Sequence, residues 1–140
     1  MSERQLTGRC QCGTVTYVVP DAFEYAGNCH CNQCRQATGS AFKPFAGIRR
    51  EHLCLTSGRE SLQINGTPEN HDARCVQCGS LLYSLVREAA YVHVAMGTLV
   101  EDPTIRPREH IFVGSKAPWY EILDDLPQYH GHADGPPINR

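Results

Sequence analysis

Cys10-Gln11-Cys12-Gly13-Thr14-Val15-Thr16-Tyr17-Val18-Val19-Pro20 carries the two features that decide the fold. The β-branched and aromatic run from Gly13 to Val19 reads as a strand, and Pro20-Asp21 stops it. Cys10 and Cys12 stand two apart, a spacing that turns both side chains to one face of an extended segment. Two sulfurs facing one way call for partners elsewhere. Cys75-Val76-Gln77-Cys78-Gly79 supplies them at zinc-knuckle spacing. Gly79 can take a left-handed conformation and let backbone N–H groups approach the sulfurs. The two pairs make four thiolates, the donor set of a closed structural zinc. Sixty-two residues separate Cys12 from Cys75, so such a zinc clamps the N-terminal strand to mid-chain.

A second cluster, Cys29, Cys31 and Cys34, stands at i, i+2 and i+5. A strand end running into a turn can aim all three sulfurs inward. His30, between the first two, points away from the metal if the backbone there is extended, which makes it a pocket residue rather than a ligand. Three ligands leave a zinc with a position for chemistry. The alternative is a second structural zinc completed by Cys54, His52, His71 or His110. Cys54, in Leu53-Cys54-Leu55, reads as a small core residue.

Ligand type narrows the chemistry. Three anionic sulfurs leave zinc a modest Lewis acid. Water must fall from about 15.7 to ionise at neutral pH, and zincs that achieve this usually carry neutral histidines. A thiol starts near about 8.5 and has far less to fall. The cluster is therefore suited to activating an incoming thiol beside a carbonyl carbon, making a C–S bond reversibly.

Working outward, strands are expected over Phe23 to Asn28, Ala41 to Ile48, His52 to Thr56, Glu60 to Asn65 and His71 to Arg74. Leu81 to Val86 and Tyr91 to Met96 form a hairpin around Arg87-Glu88-Ala89-Ala90. Pro44 places the Ala41 strand at an edge or a bulge. Asn32 to Thr38 is a short helical turn ended by Gly39. Strands recurring about every ten residues, without helical periodicity, predict an all-β fold. From Glu101 prolines break the chain into extended pieces. Residues 1–126 form one domain, and 127–140 an extended or mobile tail whose His130 and His132 are solvated.

Composition removes several function classes. With 13 basic and 15 acidic residues the net charge is −2, and no basic run supports nucleic-acid binding. No apolar stretch approaches the ~20 residues of a membrane span. The first residues carry no apolar signal segment, so the eight cysteines suit metal in a reducing cytoplasm rather than a disulfide framework.

Five motifs then carry a family resemblance. They are Gly8-Arg9-Cys10-Gln11-Cys12-Gly13, Cys29-His30-Cys31-Asn32-Gln33-Cys34-Arg35, Gly39-Ser40-Ala41-Phe42, Cys75-Val76-Gln77-Cys78-Gly79-Ser80 and Ser115-Lys116-Ala117-Pro118-Trp119. From about residue 5 to 129 the chain resembles the glutathione-dependent formaldehyde-activating enzymes and their centromere protein V relatives. The resemblance implies an Mss4-like β-tent with zinc clamped between strands. It implies two Zn2+ per chain, one structural on Cys10, Cys12, Cys75 and Cys78, and one labile on Cys29, Cys31 and Cys34. It implies a carbon–sulfur lyase activity, the reversible condensation of glutathione with formaldehyde. Around the labile zinc it suggests His30, Ser40, Lys116 and Trp119 as catalytic residues. Lys116 would pair with an anionic thiol or polarise a carbonyl, Trp119 would exclude water, and Arg35 would offset thiolate charge. The competing expectation is a non-catalytic zinc module that binds a partner.

Overall fold

A computed structural model describes residues 4–139. Ten strands and one helix build two sheets. The small sheet runs β1-β2-β5, from β1 (Gln5–Arg9), β2 (Thr16–Pro20) and β5 (Cys54–Ser57). The large sheet contains β3 (Tyr25–Cys29), β4 (Lys43–Arg49), β6 (Leu62–Gly66), β7 (His71–Cys75), β8 (Leu81–Val86), β9 (Tyr91–Ala95) and β10 (His110–Ile111). Its order is β10-β3-β4-β9-β8-β7-β6, antiparallel except for β10 against β3. The helix α1 (Asn32–Thr38) leaves β3 directly.

Period-two alternation explains why the sheets meet. Leu6, Tyr17 and Val19 of the small sheet are fully buried. They share one core with Ala46 and Ile48 of β4 and Val92 and Val94 of β9. Gly8 pairs with Tyr17 across β1 and β2, and a Cβ there would lie 2.0 Å from the Tyr17 ring. Only glycine lets that ring lie across the strand. After β9 the chain returns along β1, with Val100 N–H donating to Thr7 O at 2.8 Å.

The opposite face of the large sheet carries the polar exceptions. In β4, β8 and β9 the core positions alternate with Lys43, Phe45, Ser84 and His93. Registers Cys29↔Lys43, Asp72↔Ser84 and Ser84↔His93 bring these side chains into one region.

Three expectations are corrected. Pro44 lies in an interior strand, because β4 pairs with both β3 and β9. Gly47 O accepts from Glu24 N–H on the β3 side, so by alternation Pro44 faces the β9 side. The β9 ladder ends at Phe45↔Ala95, so the missing N–H breaks no pairing. Cys54 is exposed rather than core, because Leu53 and Leu55 take the inward positions on either side of it. Cys10 and Cys12 sit in a turn after β1 rather than on an extended segment; Gly13 N–H donates to Cys10 O at 3.1 Å and closes it.

Residues 127–139 lie beside β10. His110 N–H donates to Pro127 O at 2.8 Å, Phe112 N–H to Gly131 O at 2.9 Å, and Asn139 Nδ2 to Leu126 O at 3.1 Å. No helix among the described residues is long and apolar enough to cross a membrane.

Candidate metal centres and reaction cavity

The first centre forms where the small sheet meets the large one. Cys10 and Cys12 come from the turn after β1, Cys75 from the end of β7, and Cys78 from the knuckle that follows. Gly79 adopts φ +82, and its N–H donates to Cys75 O at 2.8 Å. Gln11 N–H donates to Ser80 Oγ at 2.9 Å, which ties the two turns together.

All four sulfurs lie within 4.8 Å of one another. Cys10 Sγ–Cys12 Sγ is 3.7 Å and Cys12 Sγ–Cys75 Sγ is 3.8 Å. A tetrahedron of sulfurs at ~2.3 Å from zinc has edges of about 3.8 Å, so the donors fit. Their surroundings favour thiolates. The Ser80 hydroxyl, 3.2 Å from Cys78 Sγ, is the main cause holding that thiol down to about 5. The Thr14 hydroxyl likewise lowers Cys12. Burial instead pushes Cys75 up to about 11; a cation in the cluster is what would hold it ionised.

The second centre is built by the β3–α1 junction. Cys29 ends β3, Cys31 caps α1, and Cys34 lies in its first turn, donating its N–H to Cys31 Sγ at 3.3 Å. Gly39 closes the helix at φ 63. The three sulfurs are mutually within 4.8 Å, and no fourth His, Cys, Asp or Glu joins them among the described residues. A hydrogen bond between Cys29 and Cys34 is the main cause lowering the first and raising the second. A cation bound by both would take the place of the proton they share. None of the four alternative ligands joins the cluster: His110 Nδ1 bonds His30 Nε2 at 2.9 Å, and His71, on the wall of the same cavity, bonds Thr67 O through Nδ1 at 2.7 Å.

Arg74 joins the two centres. Its Nη1 donates to Gly79 O at 3.0 Å in the first knuckle, and its Nη2 donates to Ala37 O at the end of α1. The helix buries no residue of its own, so this guanidinium is a principal tether.

Cys29, Cys31 and Cys34 open on a cavity of about 740 Å³. Lys43, Phe45, Asp72, Ser84, His93 and Phe112 are among its walls. Lys43 Nζ donates to Ser84 Oγ at 3.0 Å, and Ser84 Oγ donates to Asp72 Oδ1 at 2.6 Å. His93 stacks on Phe45 with centroids 4.5 Å apart and bonds the Tyr25 hydroxyl at 2.8 Å. Burial, assisted by Lys43, holds His93 down to about 3, so it is neutral.

His30 is fully buried behind the cysteines, packed on Phe42 and His110. His110 Nε2 in turn meets Asp124 Oδ2 at 3.0 Å. With Asp124 ionised, His110 donates through Nε2 and accepts at Nδ1, so His30 donates through Nε2. His30 Nδ1 is left without a partner. Burial, then His110, holds His30 down to about 4.

The other residues named from sequence are not among the walls of this cavity, although Lys116 and Arg35 lie close enough for their charges to act on His30. Ser40 Oγ donates to Phe42 O at 2.8 Å on the surface. Lys116 Nζ donates to the carbonyls of Ala117 and Tyr120. It shares a separate depression with Trp119, which is 69% exposed. Arg35 Nη2 donates to Asn32 Oδ1 at 2.6 Å within α1. The reading from sequence missed Lys43, Asp72, Ser84, His93 and Arg74. Three of them left a trace, as single polar residues inside the apolar runs Phe42–Ile48, Leu81–Val86 and Tyr91–Ala95.

Comparisons with known proteins agree with this fold. A Rhodobacter sphaeroides protein of known crystal structure superposes with a TM-score of 0.57 at 25% identity, covering 73% of this chain and 92% of that one. No curated protein matches the chain. The family described as glutathione-dependent formaldehyde-activating enzyme matches residues 5–115, and the chain belongs to that family.

Proposed function

We propose that the protein is a carbon–sulfur lyase that reversibly adds a small thiol, of the glutathione type, to formaldehyde or a related carbonyl compound. One observation carries the reading: three cysteines, joined by no fourth donor among the described residues, open on a cavity large enough for a thiol and an aldehyde together. Zinc held by Cys29, Cys31 and Cys34 would supply a position that takes an incoming thiol and favours its thiolate. A second zinc on Cys10, Cys12, Cys75 and Cys78 would hold the fold.

The chain's own residues do the rest. Phe45, Phe112 and Leu85 give the cavity apolar walls. Neutral His93 keeps its wall uncharged. Asp124 and His110 orient His30, which backs the cysteine loop. The eight free cysteines are suited to a reducing compartment such as the cytoplasm. The alternative of a non-catalytic binding module would draw on exposed apolar side chains such as Trp119 and Leu123.

Exchange spectroscopy by NMR on a formaldehyde–glutathione mixture tests the reading. The zinc-loaded protein is expected to exceed the spontaneous exchange rate, and Cys31→Ser to lose the excess. Equal rates for the two proteins across several thiols and aldehydes would sink it.

A further inference from the structure

Lys43 is a buried cation without a carboxylate in contact. The residue is 6% exposed, and no ion pair among the described residues includes it. Burying an ammonium is costly unless its charge and its donors are both met. Here one donor is met, by Ser84 Oγ at 3.0 Å, and Asp72 lies one hydroxyl further away. An ammonium has three donors. Two are left, on a side chain that walls the cavity shared with Cys29, Cys31 and Cys34.

Register fixes where that side chain starts. Lys43 is the direct cross-strand partner of Cys29, and such partners have Cβ atoms about 5 Å apart on one face. The side chain then runs from β4 to Ser84 on β8, so the ammonium and the sulfurs wall the same cavity from different strands. Phe45 and Leu85 line the same space, and apolar walls strengthen any charge–charge contact made there. A purely structural partner for Ser84 would need no charge. A charge on the wall of this cavity matches an anion formed within it.

We propose that Lys43 binds the oxyanion of the addition, its two free N–H donors receiving the carbonyl oxygen of the electrophile. This rests on the proposed reaction. The thiolate lone pair forms the C–S bond, and the C=O π pair moves onto oxygen beside the ammonium. The alkoxide then takes a proton from water, and the thiol has given one to water. Thiol plus aldehyde thus yields hemithioacetal with atoms and charge in balance. In reverse, the same contact holds the alkoxide while the C–S bond breaks. The electrophile is accordingly a carbonyl compound, since an alkylating agent places no negative oxygen at this spot.

Thioacetate tests this without turnover, because it has the S–C–O spacing of the alkoxide and shares its negative charge between sulfur and oxygen. Its binding and that of ethanethiol are read from the thiolate absorption bands of cobalt-substituted protein, with Cys31→Ser as the blank. Lys43→Met is expected to weaken thioacetate by about 10- to 100-fold, the worth of a hydrogen bond to a charged group, and ethanethiol by less than about twofold. Lys43→Arg, which keeps the charge, should retain most of the preference. Metal content and circular dichroism check that each variant is folded. In the exchange assay Lys43→Met should lower kcat by about 100-fold with little change in thiol KM. Equal weakening of both thiols, or of neither, overturns the role of Lys43. A wild type that binds thioacetate through Lys43 but accelerates no exchange would refute the proposed reaction and leave the oxyanion contact standing.

Discussion

Replacing Arg74 by methionine should loosen the three-cysteine centre while sparing the four-cysteine one. The guanidinium holds Ala37 O at the end of α1 and Gly79 O in the knuckle. Methionine keeps the aliphatic packing and removes both bonds. A charged hydrogen bond in a partly buried place is worth about 1.5–3 kcal/mol net, and an exposed one much less. The net loss should be about 2 kcal/mol. Few other contacts can absorb it, because α1 buries none of its side chains. The loss therefore falls on the position of Cys34, which α1 carries. In metal affinity about 2 kcal/mol is about 30-fold. Competition against a graded series of chelators, followed by cobalt absorption, reads the two sites separately. The expected result is a drop at the Cys29, Cys31 and Cys34 site, an unchanged four-cysteine site and little change in Tm. Equal weakening of both sites, or an unchanged three-cysteine site, would refute the idea that Arg74 serves chiefly to hold α1 and its Cys34 in place.

Other outcomes follow from the same geometry. Cys10→Ser and Cys78→Ser should give poorly folded protein, since this centre closes a long loop and joins two sheets, whereas Cys34→Ser should stay folded; thermal melts decide, and an equally unstable Cys34→Ser would make the second centre structural too. His93 bears on acid stability. Its folded value is held down to about 3 by burial, and the unfolded chain takes a proton below about 6.5. Below 6.5 the unfolded state binds more protons, so this contribution is lost as pH falls from 6.5 toward 3. It amounts to about 2 kcal/mol between pH 6.5 and 5. His93→Phe, which keeps the stack on Phe45, should flatten that part of the profile, and a stability difference from wild type that is constant with pH would contradict it.

The two centres are coupled to the fold in different ways. Cys10 and Cys75 belong to the buried core, so the first cluster is part of the packing that joins the sheets. Cys31 and Cys34 sit at a surface junction of a strand and a short helix, half-buried, with a cavity on one side. A centre in a core resists change, while a centre at a cavity mouth can exchange what it holds.

Much of this protein could be read from local pattern. Alternation in Thr16–Pro20, Leu81–Val86 and Tyr91–Ala95 is a local consequence of burying one sheet face, so those strands are visible without partners. Both cysteine clusters are visible because ligands of one metal must lie close in space, and close spacing along the chain is the simplest way to achieve that. Gly79 was readable because a tight knuckle needs a left-handed residue.

What escaped depends on pairing. β1 and β10 are short and make sense only beside β2 and β3. Cys54 was read as core because its neighbours are leucines, but the direction of a period-two pattern is set by which face finds a partner. Pro44 looked like an edge signal, and only the length of the β9 ladder shows that its missing N–H breaks nothing. Lys116 and Trp119 are far along the chain, and their distance from the cavity is a matter of how residues 112–120 pack. Lys43, Ser84, Asp72 and His93 come from four different strands, and nothing in any one strand says that register will bring them together. The sequence by itself determined most of the strands and the two cysteine clusters, because those follow from local burial and spacing. The tertiary structure alone decided which polar side chains face the sulfurs, because cross-strand register is a property of the whole sheet.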